Sequence, residues 1–247
     1  MGVGEKYESD CILSPTWIYG KWRKRIGRRH DRVYYKDDKG GRKCAVGRGA
    51  DASENIKRQL TMVIDGSMVT DYSDVKLETK DLILKKAEFE DWKTIYYNLW
   101  RHKESAKYML WQPTETDEDA KDRMKRTIAF EEKPENKYAL FVYLKKTGEA
   151  IGFAGMRELE RGIYEETGIA LGPEFVRKGY GRQILTALLE EAGKLGAKEF
   201  HACNRTGNAA SRVLQLSCGF VFDSLSEEKT DPRTGETYVL ENHIYRY

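Results

Sequence analysis

The stretch Pro173-Glu174-Phe175-Val176-Arg177-Lys178-Gly179-Tyr180-Gly181 decides the fold of this chain. Apolar and polar residues alternate before it, from Tyr164 to Leu171, which predicts a strand, and the apolar spacing from Arg182 to Leu195 predicts a helix. A Gly-x-Gly turn at a helix start leaves backbone N–H groups pointing outward, where the helix dipole adds partial positive charge. The full charges nearby are Arg177, Lys178 and Arg182. The stretch therefore predicts a site for a phosphate or pyrophosphate.

Strand and helix patterns continue on both sides of this turn, over residues 75–247. They predict the order β-α-α-β-β-β-α-β-α-β-β. The predicted strands are 82–84, 138–144, 150–156, 164–171, 199–203, 220–223 and 237–245, and the predicted helices are 87–100, 116–130, 182–195 and 208–217. We expect an α/β (α+β) fold in which helices flank a mixed, mostly antiparallel central sheet.

Residues 1–74 are predicted to form a small N-terminal accessory region, separate from the main domain of residues 75–247. Ser14-Pro15 predicts the start of a helix, although so short a stretch is equally compatible with a strand. Residues 32–36 and 43–47 predict a hairpin, and Ser53 is expected to cap a helix over residues 54–64. Residues 65–74 are expected to be a linker.

The positive charge of the chain is concentrated in this accessory region. The net charge of the whole chain is +3, but residues 21–48 contain twelve Lys or Arg and three Asp, a net charge of +9 that leaves −6 elsewhere. Lys and Arg neutralise phosphates and aromatic rings stack on bases, so RNA or ribosome binding is one interpretation. The interpretation that we favour is a solvated accessory region, and a third is a region that shapes the acceptor site for an acidic substrate.

Cysteine and histidine positions give no metal pattern. Cys11, Cys44, Cys203 and Cys218 lack C-x-x-C spacing, which indicates ordinary thiols in a reducing cytoplasm. None of the four histidines has a partner at metal-ligand spacing, so no metal site is predicted. His201, on a predicted strand near the pyrophosphate turn, is expected to be packed or exposed rather than catalytic. No apolar run reaches the ~20 residues that a membrane helix needs, so no membrane partner is expected.

The order of elements, with a glycine turn between the fourth strand and the third helix, resembles the GCN5-related N-acetyltransferase superfamily (GNAT) in its ribosomal-protein-alanine acetyltransferase-like branch. The resemblance covers roughly residues 76–247, about 70% of the chain. The segments that carry it are Leu77-Glu78-Thr79, Leu82-Ile83-Leu84, Tyr108-Met109-Leu110-Trp111, Thr116-Asp117-Glu118-Asp119-Ala120, residues 168–175, Asn208-Ala209-Ala210-Ser211 and Cys218-Gly219-Phe220. It implies the acyl-CoA N-acyltransferase fold and acetyl-CoA as the cosubstrate.

The resemblance also implies the residues that hold coenzyme A. In this family the arm of the cofactor lies between two separated strands like an extra strand, and the glycine turn holds its pyrophosphate. The residues expected to contact it are Ile169, Leu171, Arg177, Lys178, Gly179, Tyr180, Gly181, Arg182, Asn204, Asn208 and Ser211. Asn208 could equally be only a helix cap. The family's loop is Gln/Arg-x-x-Gly-x-Gly/Ala, and here Val176 takes the first position with the cations one residue later.

For catalysis, the resemblance implies direct attack of an amine on the thioester. Only the neutral amine attacks. Because the pKa of the acceptor amine is ~7.7–8.0 for an α-amine and ~10.4 for a lysine, the site must take a proton from it. Glu166 is the candidate general base, with Glu158 and Glu165 as rivals, and solvated strand-edge acids as the alternative interpretation. Adjacent strand residues point to opposite faces, so only one of Glu165 and Glu166 can face the cleft. The tyrosine that many relatives use as general acid is replaced here by Gln215.

The sequence therefore predicts an acetyl-CoA-dependent N-acetyltransferase. The expected acceptor is a protein N-terminus, a lysine or a small amine, and a homodimer is possible. The alternative is a catalytically inactive relative that binds RNA or the ribosome through its basic N-terminal region. The missing tyrosine favours that alternative, and the ordered set of motifs favours the enzyme.

Overall fold

The computed structural model describes residues 75–247 and, before them, four strands: β1 (Val33–Lys36), β2 (Arg42–Ala45), β3 (Val63–Ile64) and β4 (Ser67–Met68). The chain divides into two compact units, one of residues 20–71 and one of residues 1–19 with 72–247. Within the part of the chain that is described, no helix is long and apolar enough to cross a membrane.

The N-terminal strands form two antiparallel pairs. β1 pairs with β2, which confirms the predicted hairpin in this region. β3 pairs with β4, Val63 opposite Met68 and Ile64 opposite Ser67. The predicted helix over residues 54–64 is therefore wrong at Val63–Ile64, and the predicted linker contains a strand. The rest of that helix and the element predicted near Ser14 lie outside the described residues.

Residues 75–247 form an eight-stranded sheet with helices on both faces. Its order is β11-β14-β10-β9-β8-β7-β6-β5, and every neighbouring pair is antiparallel except β9–β10. The strands are β5 (Leu77–Glu78), β6 (Leu82–Lys85), β7 (Tyr138–Leu144), β8 (Ala150–Glu160), β9 (Ile163–Leu171), β10 (Glu199–Arg205), β11 (Val221–Leu225) and β14 (Leu240–Arg246), and β12 (Lys229–Thr230) pairs separately with β13 (Thr237–Tyr238). The mixed, mostly antiparallel α/β fold is thus confirmed.

Five α-helices within residues 75–247 cover the sheet. They are α1 (Trp92–Ile95), α2 (Lys103–Ala106), α3 (Asp117–Glu131), α4 (Tyr180–Lys194) and α5 (Ala209–Ser217). α3 begins as predicted, because the Thr116 hydroxyl accepts from the Asp119 N–H at 3.1 Å. The helix predicted over residues 87–100 begins later and changes type: a 3-10 turn at Phe89–Asp91 leads into α1, which continues as a π-helical turn, Tyr96–Trp100.

The sheet separates two apolar cores, because neighbouring side chains of a strand point to opposite faces. In β7, Leu140 and Val142 pack with Leu188 of α4 on one face. Phe141 and Tyr143 pack on the other face with the helices that precede β7. This strand is buried on both sides, which explains why its sequence is a continuous apolar run rather than an alternating one.

A bulge in β9 lies where the sheet changes its pairing. Gly155 of β8 faces Gly168 and Met156 faces Glu166, so Thr167 is an extra residue. An added Cβ at Gly155 would lie 2.5 Å from the Thr167 Oγ1 and 2.9 Å from the Tyr138 carbonyl oxygen, which explains the glycine. A bulge bends its strand and increases the local twist.

We expect Gly155→Ala to lower the free energy of unfolding by about 1–3 kcal/mol, because the methyl group must displace backbone as well as a side chain. Gly207→Ala is the matched control, since a Cβ there meets nothing closer than 3.8 Å. Urea denaturation of both variants measures the difference. Equal stabilities would show that the bulge does not need a glycine opposite it.

Candidate active site

A groove opens between β9 and β10 because these parallel strands separate. They pair only at Ile163–Glu165 with Glu199–His201, and the bulge at Thr167 follows immediately. Beyond it the β9 edge that faces β10 has no strand partner in the described sheet. The groove has a volume of about 650 Å³ and runs along β9 from Glu166 to Leu171, roughly 16 Å at 3.3 Å per residue.

The open end of the groove meets the N-terminus of α4. Gly179 is the N-cap residue at φ 80°, with no side-chain cap, and Arg177 also has a positive φ of 58°. The first intrahelical bond is donated by the Gln183 N–H to the Gly179 carbonyl at 3.2 Å, so the amides of residues 180–182 have no partner within the helix. These donors lie at the positive end of the dipole, an anion site built from backbone.

The side chains predicted around this turn divide into two groups. Arg177, Gly179, Gly181 and Arg182 line the groove, and the Arg182 guanidinium also donates to the Ser217 carbonyl at 2.7 Å. Lys178 lies over the Phe175 ring at 5.6 Å, and Tyr180 packs against the core beneath α4. Neither the Lys178 nor the Tyr180 side chain therefore lines the groove, and of the two residues only Tyr180 has one of the free helix-start amides.

The predicted polar residues on β10 and α5 line the opposite wall. Asn208 caps α5 by accepting from the Ser211 N–H at 3.3 Å, which confirms the helix-cap interpretation. The same residue also lines the groove. Asn204 is buried; its Nδ2 donates to Glu241 at 2.9 Å, while its Oδ1 accepts from no described residue. That buried oxygen beside the groove is suited to accept an amide N–H from a ligand.

Gln215 is fully buried behind this wall. Its Nε2 donates to the Cys203 carbonyl at 3.3 Å and to the Ser211 hydroxyl at 3.2 Å. The residue does not line the groove, so its side chain supports α5 against β10. The position predicted to lack a general acid is thus occupied by a positioning residue.

The acidic residues of β9 have separate environments. Glu165 is 1% exposed and ion-paired with Arg157, whereas Glu166 lines the groove at the end where the strands separate. Burial, and then the charge of Glu165, raise the pKa of Glu166 to about 7. Glu158 is exposed and accepts from the Gly162 N–H at 3.0 Å, at the β8–β9 turn, and it does not line the groove.

Several groove residues were not predicted from the sequence. Tyr108 and Met109 come from the segment after α2, and the Tyr108 hydroxyl donates to the Gly207 carbonyl at 2.9 Å. The others are Gly168, Val176, Cys203, Arg205, Ala209, Ala210, Val213 and Leu214. The adjacent Ala209-Ala210 at the start of α5 could have indicated from the sequence that this helix lines the groove, because small residues allow a ligand to approach a helix closely.

His201 is bonded through its Nε2 to Glu199 at 2.9 Å and does not line the groove. Among residues 75–247 and the described N-terminal strands, no group of three or more His, Cys, Asp or Glu is arranged to hold a metal ion. The groove therefore combines an apolar channel, a cationic backbone turn at one end and one carboxyl of raised pKa at the other. This arrangement suits a long ligand with an anionic end and a reactive end.

Comparison with known proteins assigns the class. Residues 81–221 match the family model of the acetyltransferase (GNAT) domain, more than half of the chain. The chain belongs to the GNAT acetyltransferase family, and the resemblance seen in the sequence is confirmed. It is an acetyl-CoA-dependent N-acetyltransferase. No curated protein sequence matches the chain significantly.

Solved structures share the fold at low identity. A putative ribosomal-protein-serine acetyltransferase from Vibrio cholerae is 18% identical, covers 71% of this chain and 99% of its own, and has a TM-score of 0.59. Spermidine N-acetyltransferase from Vibrio cholerae, with CoA and spermine, is 19% identical over 68% and 96% with a TM-score of 0.54. The microcin C7 self-immunity acetyltransferase, with acetyl-CoA and AMP, is 19% identical over 68% and 94% with a TM-score of 0.59.

We expect Gly179→Val to weaken coenzyme A binding about tenfold or more, because a branched side chain strains the left-handed backbone and stands where the phosphate approaches. Gly148→Val is the matched control: this hairpin glycine has φ 76° and, like Gly179, no atom within 4 Å of its Cβ position. Isothermal titration calorimetry measures both. An affinity of Gly179→Val equal to that of the control would remove the turn from the binding site.

Proposed function

We propose that acetyl-CoA binds in the β9–β10 groove with its pyrophosphate on the amides of residues 180–182. The observation that carries this assignment is the groove itself, which runs from an uncapped helix N-terminus to Glu166 between two unpaired strand edges. The pantetheine arm lies along Ile169 and Leu171 and is held by backbone hydrogen bonds as an added strand is. Asn204 offers its unpartnered oxygen to an amide of that arm.

The reaction that this geometry supports is direct transfer. The amine nitrogen attacks the thioester carbonyl carbon, the C–S bond breaks, an amide forms and coenzyme A leaves as a thiolate. A backbone N–H of β9 beyond the bulge stabilises the developing oxyanion. The proton lost by the amine goes to Glu166, directly or through one water. Because an ordinary thiol has a pKa of about 8.5, the thiolate leaves and takes up a proton without the tyrosine that Gln215 replaces.

A carboxyl with a pKa of about 7 is matched to this task, because it is partly ionised at neutral pH and still basic enough to accept a proton. Glu166 is the group that we assign as base. Glu158, the other candidate from the sequence, bonds to a turn outside the groove and serves as the control.

We expect Glu166→Gln to lower kcat/KM by roughly 100-fold or more near pH 8 and to remove the acidic limb of the pH–rate profile near pH 7. Release of free thiol from acetyl-CoA with a panel of amines measures the rate. Glu158→Gln should keep the normal profile. A full rate in Glu166→Gln, with coenzyme A affinity unchanged in both variants, would exclude Glu166 as the base.

The same raised pKa predicts an effect on stability. The pKa of Glu166 is about 7 in the folded protein and 4.5 without the fold, so above pH 7 the buried carboxylate lowers the stability of the native state. Below pH 4.5 the carboxyl is protonated in both the folded and the unfolded chain, and this loss of stability disappears. Glu166→Gln should therefore melt at a higher temperature than the parent at pH 8 and at a similar temperature at pH 4. This comparison also verifies that the variant is folded when its rate is low.

The acceptor is proposed to be a primary amine, either a protein N-terminus or lysine or a small molecule. Residues 1–74 are proposed to form an accessory region to the transferase domain of residues 75–247. Within that range residues 20–71 form a compact unit of their own, which agrees with the proposal, whereas residues 1–19 group with residues 72–247. A reducing cytoplasm is proposed as the location, because the four cysteines of the sequence lack C-x-x-C spacing.

A homodimer is proposed through β11, an edge strand of the sheet. Val221, Phe222 and Leu225 are each more than half exposed there, and an apolar edge strand favours pairing with a second copy. We expect sedimentation velocity to detect a dimer that Phe222→Glu converts to a monomer. A monomer at all concentrations in the parent protein would contradict this proposal.

A further inference from the structure

A second pocket lies beside the groove and is lined by arginines. Its volume is about 570 Å³, and we name it the arginine pocket after Arg123, Arg126 and Arg233. The remaining lining comes from residues 110–115, Asp119 and Pro232. Asp119, Arg123 and Arg126 are spaced four and three residues apart on α3, so they share one helix face.

Arg123 is a buried cation that pairs with no acidic residue in the described part of the chain. The residue is 8% exposed, and its guanidinium lies between the rings of Trp100 and Trp111, 4.5 and 4.6 Å from their centroids. Its Nη1 donates to the Thr114 hydroxyl at 3.0 Å and to the Gln112 carbonyl at 3.3 Å. No carboxylate among the described residues pairs with it. A buried charge without a counter-ion is costly and needs an explanation.

Two further observations indicate that the missing counter-ion is a ligand. Burial and then the nearby Arg126 lower the pKa of Arg123 to about 9, so two cations remain adjacent at neutral pH. Trp111 also lines the pocket, and its buried indole Nε1 donates to no described residue. Cations with an unused donor form a set that an anionic oxygen would satisfy.

The acidic residues at this pocket do not neutralise Arg123. Asp119 is exposed and accepts from the Thr116 hydroxyl at 2.6 Å at the start of α3, and Glu115 is exposed. Arg233 is paired with the buried Asp231 and donates to the Trp111 carbonyl at 2.8 Å, which fixes it as part of the wall. The interior of the pocket therefore stays positive through Arg123, with Arg126 at its exposed side.

The arginine pocket adjoins the acetyl donor's groove. Tyr108 and Met109 line the groove, and the next residues of the chain, Leu110 and Trp111, line the pocket. Asp231 accepts from Arg205 of the groove wall and from Arg233 of the pocket wall, both at 2.7 Å. An acceptor molecule can therefore place an amine at the groove while another of its groups occupies the pocket.

We propose that the arginine pocket binds a carboxylate or phosphate carried by the acceptor amine, so the enzyme prefers acidic acceptors. The inference rests on the proposed transfer to an amine. The anion replaces the counter-ion that Arg123 lacks, bonds to Arg126, and holds the acceptor with its amine toward the thioester. A protein N-terminus followed by Asp or Glu and a small amine with an acidic group share this chemistry.

Matched acceptor pairs test the preference and identify its source. The small-molecule arms are 4-aminobutyrate against 4-aminobutyramide and phosphoethanolamine against ethanolamine, and the peptide arm is Ser-Asp-Gly-Ala-amide against Ser-Asn-Gly-Ala-amide, whose C-terminal carboxylates are blocked. The acidic member of at least one pair should have the higher kcat/KM. Arg126→Gln should reduce that preference about tenfold and leave the neutral member unchanged, because a hydrogen bond to a charged group is lost. Arg126→Lys should keep most of it.

Lys125→Gln is the control for loss of a surface charge, since Lys125 is exposed beside Arg126 and paired with the exposed Asp122. An equal effect of Lys125→Gln and Arg126→Gln would assign the preference to general charge and overturn the pocket. Neutral and acidic acceptors that react equally, with no effect of Arg126→Gln, would overturn the inference and leave the transferase function standing.

A binding measurement separates the two proposals if no amine is acetylated. Acetyl-Ser-Asp-Gly-Ala-amide cannot act as an acceptor, and its binding should change the tryptophan fluorescence through Trp111, with an affinity that Arg126→Gln lowers about tenfold. Binding without turnover of any amine would refute the transfer and retain the anion site. No salt-sensitive fluorescence change at millimolar peptide would refute the anion site.

Discussion

The site depends on the separation of two parallel strands. β9 and β10 pair over three residues, and the bulge at Thr167 then bends β9 away from its neighbour. The bend needs a glycine opposite the bulge, because Tyr138 and Thr167 leave no room for a Cβ at Gly155. One extra residue in β9 thus creates the groove. Glu166 lies at the closed end of the groove, and the start of α4 lies at its open end.

Several residues at the groove and at the arginine pocket violate ordinary rules of stability. Gly179 leaves a helix start uncapped, Asn204 and Gln215 each have a buried oxygen without a described partner, and Arg123 is buried without a counter-ion among the described residues. The same domain has two apolar cores and a capped α3. Such local conflicts are expected where a protein binds or reacts with something that the folded chain does not itself supply.

Local signals in the sequence predicted the elements that local interactions control. The start of α3 followed from the Thr116 cap, and the β9–turn–α4 unit followed from strand alternation and the glycines of the turn. The π-helical turn Tyr96–Trp100 was not predictable, because five residues make only about one turn and apolar spacing over one turn does not separate i→i+5 from i→i+4 hydrogen bonding. The arginine pocket was also missed, since it joins α3 to residues 232–233, more than a hundred positions later. The sequence alone could not decide which of the adjacent Glu165 and Glu166 faces the groove. That orientation depends on how β9 pairs with β8, which only the structure shows.

The unpaired strand edges have a thermodynamic consequence. Beyond the bulge, the β9 edge that faces β10 has no strand partner in the described sheet, so in the free enzyme we expect water to bond to its backbone groups and to fill the apolar channel. Acetyl-CoA would release that water when it binds, so the heat capacity should fall on binding as it does when a protein buries apolar surface. The signature would distinguish a ligand that enters the channel from one that only contacts the charged turn of α4, whose binding would depend mainly on ionic strength.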